Sequence, residues 1–139
     1  RPDEVKLKTL AQQLGISNKV IFRGFVEQVK LPEIYSGFTI ACYLSISESF
    51  GVSAIEAMAC NCPVVASDAE GFTEVIEDGV TGIIVPKCNP EAAAQAIQRF
   101  IDNPSDIEKM GSAARERVCN LYVWENNVNT MISIYRSVL

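Results

Sequence analysis

Residues 48–56 read ESFGVSAIE, two carboxylates eight positions apart. Between Glu48 and Glu56 lie a small, turn-competent run (Ser49, Phe50, Gly51) and the apolar start of a helix at Val52 and Ile55. Upstream, residues 38–44 (FTIACYL) are short, apolar and rich in aromatic and β-branched side chains, the pattern of a buried strand. Downstream, Ala57, Met58 and Ala59 continue the helical pattern. The order is strand, loop carrying Glu48, helix carrying Glu56. In an open α/β sheet, ligands bind beyond the carboxyl ends of the strands, and free N–H groups at a helix start attract anions. A helix beginning near Gly51 sets Glu56 roughly 7–8 Å along its axis, at ~1.5 Å per residue. One carboxylate then faces one end of a diphosphate-bridged ligand and the other its far end. Two carboxylates repel a phosphate unless each accepts hydrogen bonds from hydroxyls, and a nucleotide sugar has hydroxyls at both ends. An exposed acidic loop followed by a solvated helix glutamate has the same spacing, so spacing alone leaves both readings open.

The whole chain has 139 residues, the length of one domain, with 48% hydrophobic and 21% charged residues, as in ordinary globular proteins. Its net charge of −5 provides no basic stripe, so nucleic acid is not an expected partner. The five cysteines (Cys42, Cys60, Cys62, Cys88, Cys119) form no CxxC pair and there is no histidine, so no metal site is expected. Cys42, in an apolar strand, and Cys60, after a helix, read as buried free thiols suited to a reducing compartment. Without histidine, Ser–His and Cys–His nucleophile pairs are impossible within this chain. A general acid or base must be a carboxylate, Lys, Tyr or Cys, or come from another segment. No stretch approaches the ~18 continuous apolar residues of a membrane span, and the N-terminus does not read as a signal peptide.

In chain order, residues 2–14 read as a helix with an apolar face of Leu7, Leu10, Ala11 and Leu14, ended by Gly15. Residues 20–25 (VIFRGF) read as a strand, 31–35 as a short helix, and 63–67 (PVVAS) as a buried strand. A loop over 68–72 precedes a short helix from Thr73. Asp78-Gly79 marks a turn before a last strand over 82–85. Asn89 caps a helix with Pro90 at its first position, Ser105 caps the next in a capping box with Glu108, and a final helix runs from Val123 or Trp124 to about Ser137. Trp124 and Tyr135 read as packing residues, and Lys87 and Arg99 as solvated. The alternation implies an α/β fold with a mostly parallel sheet flanked by helices.

The stretch ESFGVSAIEAMACNCPVVASDAEGFTEVIEDGVTGIIVP resembles the signature region of the retaining glycosyltransferases of family 4, the large GT-B group. Its motifs there are E-x7-E, EAMA-x-G-x-PVVAS, GG-x-x-E, and a D/N-G-x-x-G turn before an apolar strand ending in Pro. LGISNKVIFRGFV, LPEIYS and the tail from Asn103-Pro104 are similar to the flanking segments of that family. The resemblance covers nearly the whole chain. It implies a Rossmann-like fold, the incomplete C-terminal, donor-binding half of a GT-B enzyme of glycan biosynthesis. Such an enzyme moves a sugar, with retention, from a UDP- or GDP-sugar to an acceptor, without a cofactor or required metal. By resemblance, Glu48 is the catalytic-site carboxylate and hydrogen-bonds the donor-sugar hydroxyls. Ser49, Phe50, Gly51 and Val52 line the sugar and diphosphate, with Phe50 and Gly51 offering backbone N–H groups. Glu56 takes the ribose hydroxyls, and the loop near Val26 meets the base.

Three departures from the family pattern stand out. Ser45, Ile46 and Ser47 precede the first glutamate without the usual Pro-Ser. Cys62 is taken to stand where A-x-G-x-P has glycine, and Glu70 replaces the first glycine of GG-x-x-E, placing a negative charge near the sugar site. The family's N-terminal acceptor domain has no counterpart, nor has the β-α-β unit that supplies its diphosphate-gripping Arg and Lys. The expectation is a truncated chain, inactive alone, that pairs its strands abnormally, dimerises through the gap or is completed by further segments. A non-catalytic nucleotide-sugar binding or regulatory module is the alternative, and an interaction surface on the helical tail a third reading. Expected localisation is cytoplasmic, with membrane association through the absent domain left open.

Overall fold

The computed structural model describes residues 2–138. Three strands form one parallel sheet in the order β1 (Ala41–Tyr43), β2 (Val64–Ser67), β3 (Gly82–Val85). Val64 pairs with Ala41 on one side and Gly82 on the other, which fixes the register. β2 is buried along its whole length, as a central parallel strand covered on two faces must be. Because side chains alternate, Val64 and Ala66 enter one core layer and Val65 the other. The first layer is filled from α3 (Val52–Ala59), α4 (Glu70–Val75) and α6 (Pro104–Leu121) by Ala54, Ala57, Met58, Phe72, Val75 and Ala114. The second is filled from α5 (Pro90–Asp102) by Ala93, Ala96 and Phe100, with Met110 of α6. The remaining α-helices are α1 (Pro2–Gln13), α2 (Leu31–Ser36) and α7 (Trp124–Ser137). The α/β class and the parallel sheet match the sequence reading.

The strand expected over 20–25 does not form. Val20 has extended angles (φ −111, ψ 121), but no described strand borders the segment, and Gly24 at φ 68 breaks the extended run. Ile21 and Phe25 are left 77% and 86% exposed. Abnormal strand pairing is therefore not what the described chain does; the segment is simply unpaired. The expected apolar face of α1 is likewise not core: only Ala11 is buried, while Leu7, Leu10 and Leu14 stay exposed. α7 buries no residue, and Trp124 and Tyr135 are 78% and 60% exposed rather than packed. Cys42 is exposed because β1 has a sheet partner on one side only; Cys60 is half-buried and Cys62 buried.

Several boundaries move for local reasons. α4 starts at Glu70, not Thr73, because Ala69 takes extended angles and accepts the first turn's N–H groups from Phe72 (2.9 Å) and Thr73 (3.2 Å). α6 starts at Pro104 with Asn103 as its N-cap, so Ser105 lies inside the helix and makes no cap. Asn103 also ends α5, where its side-chain amide donates to the Arg99 carbonyl (3.1 Å). Asn89 caps α5 as expected, its Oδ1 accepting from Ala92 N (3.0 Å). Lys87 and Arg99 are ion-paired rather than merely solvated, to Glu70 (3.4 Å) and Asp106 (3.1 Å). The glycine-like position after α3 is Asn61, which has φ 59, and not Cys62. Counting from EAMA gives the same assignment: Cys60 and Cys62 fill the two variable places around it. Gly111 lets α6 pass close to the Asn61 carbonyl, and Arg115, one turn on, donates to the Ala59 carbonyl at the end of α3.

Candidate functional site

The turn between β1 and α3 is held by its own side chains. Glu48 Oε1 accepts the N–H groups of Phe50 (3.3 Å) and Gly51 (3.2 Å). The Glu48 carbonyl accepts Gly71 N–H at 2.9 Å, tying α4 to the turn. Gly51 enters α3 with φ 85, a left-handed angle, and a Cβ there would lie 2.9 Å from Phe72 Cδ1. Ser49 and Phe50 are exposed, and the Phe50 ring stands edge-on to Tyr122 at 5.8 Å. From below, Ser67 Oγ donates to the Ser45 carbonyl, fixing the loop to the end of β2.

The first turn of α3 leaves two donors open. Ala54 and Ile55 N–H groups both reach the Gly51 carbonyl (3.0 and 3.1 Å). Those of Val52 and Ser53 have no acceptor among the described residues. A helix start concentrates partial positive charge on such groups. The amides of Phe50 and Gly51, expected to face a ligand, are instead occupied by Glu48, and the free pair is Val52 and Ser53. Ser53 is a residue the sequence reading missed; only the cap geometry identifies it.

Val52 is 57% exposed. Glu56 follows it by four positions and so lies on the same face of α3, opposite the buried Ala54, Ala57 and Met58. Glu56 is half-buried and lines a cavity of about 230 Å³ with Gln28, Leu31, Pro32, Tyr35, Ala59 and Cys60. Tyr35 donates its hydroxyl to Glu56 Oε2 at 3.4 Å. Val26 does not share this cavity. It lines a neighbouring cleft of about 510 Å³ with Arg23, Phe25, Glu27, Lys30 and Ile34. Gln28 is the member of that loop that reaches the Glu56 cavity. The structure thus brings Glu48 to the turn at the start of α3, sets Val52 and Glu56 on one face of that helix, and leaves Val26 in a separate cleft.

Charge around the site is sparse. None of the ion pairs of the described residues includes Glu48 or Glu56. Glu70, next to Gly71, is held below the ordinary glutamate value by its own backbone N–H and by Lys87. Burial, together with the nearby Glu56 carboxylate, pushes the Tyr35 hydroxyl up, so it is a neutral donor at physiological pH. Burial likewise pushes the Cys62 thiol up to about 11, well above a reactive thiol. No cluster of three or more His, Cys, Asp or Glu side chains suited to a metal occurs among the described residues. None of their helices is long and apolar enough to cross a membrane.

The chain is similar to known proteins in sequence and in fold. The family model described as glycosyl transferases group 1 matches residues 1–117. The D-inositol 3-phosphate glycosyltransferase of Streptomyces griseus is 37% identical over 133 residues, covering 96% of this chain and 28% of that protein. The sucrose-phosphate synthase structure of Thermosynechococcus elongatus superposes with a TM-score of 0.91 at 34% identity, over 99% of this chain and 34% of the other. The HepE protein of Anabaena, solved in complex with UDP-glucose, superposes with a TM-score of 0.87 at 28% identity, over 100% of this chain and 38% of the other. The chain spans about a third of the length of the proteins it matches. Its three-stranded sheet and flanking helices correspond to part of a GT-B, Rossmann-like architecture.

Proposed function

We infer the function from one premise: the chain belongs to the glycosyl transferases group 1 family. We propose that residues 1–139 are a nucleotide-sugar-binding domain, the donor-binding part of a retaining hexosyltransferase whose acceptor-binding portion lies in another segment. The observation that carries this reading is the layout of α3. Glu48 stands in the turn that leads into α3, Glu56 lies one helical turn beyond Val52, and the two open amides of Val52 and Ser53 lie between them at the helix start. A diphosphate sits on the amides, where the helix dipole favours its charge. Glu48 Oε2 takes hydroxyls of the donor sugar while Oε1 keeps its hold on the turn. Glu56 takes the ribose hydroxyls in the 230 Å³ cavity. Val26 and its loop flank the base. The complex of HepE with UDP-glucose supports a UDP-sugar as the donor class.

The chemistry follows from charge. As the glycosidic bond to the diphosphate breaks, negative charge grows on the leaving oxygen. Preorganised N–H donors at that point lower the barrier more than they stabilise the bound donor. The acceptor and additional cations come from outside this chain, so the chain alone binds donor without transferring sugar. A second reading is a nucleotide-sugar binding or regulatory module without catalysis, which needs only the two carboxylates and the open amides of α3.

Calorimetry on this chain tests the reading. Glu56→Ala is expected to weaken UDP and UDP-glucose equally, by roughly 10-fold or more for a charged hydrogen bond. Glu48→Gln is expected to weaken UDP-glucose more than UDP. Unchanged UDP affinity in Glu56→Ala would overturn the site assignment. Sugar transfer by a longer form of the protein separates the enzyme from the regulatory module.

A further inference from the structure

One wall of the cavity beside Glu56 is built by α2. α2 places Leu31 and Tyr35 one turn apart, both facing α3 across the cavity. The Tyr35 ring is set edge-on against Phe38, with centroids 5.8 Å apart and planes at 89°. Its hydroxyl reaches Glu56 Oε2 at 3.4 Å. The neighbouring Tyr43 hydroxyl donates to the Ser53 carbonyl at 2.9 Å and so is committed to the α3 backbone. Among the described residues, Tyr35 is the side chain that hydrogen-bonds the Glu56 carboxylate.

We propose that Tyr35 is a positioning residue for ribose recognition: its hydroxyl holds Oε2 of Glu56 so that Oε1 faces the cavity and accepts a ribose hydroxyl. The inference rests on the assignment of Glu56 to the ribose. A glutamate on a helix edge has three side-chain torsions to order before it binds, and a preformed hydrogen bond removes part of that cost from association. The bond is long, so its effect falls below that of well-formed hydrogen bonds to charged groups. The bland account of the same contact is a staple between α2 and α3 with no bearing on the ligand.

The two accounts differ in what they discriminate. Binding of UDP and of 2′,3′-dideoxy-UDP is measured by calorimetry for the wild-type chain, Tyr35→Phe, Glu56→Ala and the double variant, with urea midpoints as a folding check. Tyr35→Phe keeps the ring and its packing on Phe38. It is expected to weaken UDP about three- to tenfold while leaving the dideoxy nucleotide unchanged. In the double variant, UDP affinity equals that of Glu56→Ala alone, because Tyr35 acts through Glu56. Equal losses for both nucleotides, no loss for either, or additive effects in the double variant would overturn the proposal. A Glu56→Ala variant that still prefers UDP over its dideoxy form would instead overturn the ribose assignment itself.

Discussion

Gly71→Ala sets two effects of opposite sign against each other. Gly71 lies within α4, where alanine ordinarily stabilises a helix by up to ~1 kcal/mol. Here the new Cβ would lie 2.5 Å from Phe50 N and 2.8 Å from both Phe50 Cα and Ser49 C. All three are backbone atoms, so relief requires shifting the 49–50 peptide or α4 itself. Overpacking of this kind costs about 1–3 kcal/mol. Straining the bond from Gly71 N–H to the Glu48 carbonyl adds about 0.5–1.5 kcal/mol. The clash wins, and the expected outcome is a net loss of about 2 kcal/mol. Urea unfolding reads it as a lower midpoint at constant slope. Because one of the displaced atoms, Phe50 N, is held by Glu48 Oε1, UDP-glucose affinity falls as well. Gly79→Ala is the control: Gly79 has φ 75 with nothing within 4 Å of a new Cβ. It loses about 1–2 kcal/mol to backbone strain and keeps its UDP-glucose affinity. A Gly71→Ala protein as stable as its parent, with affinity intact, would refute the steric reasoning.

Two further outcomes are expected. Asn61→Gly leaves thermal stability nearly unchanged, since φ 59 suits glycine. Asn61→Ala costs about 1–2 kcal/mol, and Cys62→Gly a similar amount by emptying a site only 1% exposed. A tolerant Cys62 beside an intolerant Asn61→Gly would reverse the assignment of the left-handed position. Glu70 titrates below the ordinary glutamate value in an NMR pH series, because its backbone N–H and Lys87 favour the ionised form. A depressed folded-state value stabilises the protein above the ordinary glutamate pKa, and that contribution disappears as pH falls through the folded-state value. Lys87→Gln moves the Glu70 midpoint up toward the ordinary glutamate value; an unmoved midpoint would show that the pair has no effect.

The strand–turn–helix unit was legible because its signals are local. An apolar run, a glycine able to take a left-handed angle and a helical stripe fall within about twenty residues. Asn89-Pro90 and Asp78-Gly79 were legible for the same reason. Residues 20–25 misled because β-propensity describes a half-buried pleated surface, and no described strand offers Val20 or Phe22 such a surface. Trp124 and Tyr135 misled because helical spacing shows which side chains share a face, not what covers it. At the candidate site, the carboxylates were visible in the spacing of Glu48 and Glu56. Tyr35 and Gln28 were not, since they reach the cavity from a different element across more than twenty residues of sequence. The occupation of Phe50 and Gly51 by Glu48 was hidden too. It depends on a side-chain direction that no pattern of residue types encodes.

That occupation has a kinetic corollary. Fixing a mobile backbone costs about 1–2 kcal/mol per residue, and here the expense falls when the chain folds, because Glu48 clasps the amides of Phe50 and Gly51 without help. A visiting molecule finds the bend already shaped. Encounter then proceeds with little rearrangement, and competing nucleotides differ chiefly in how long each one stays.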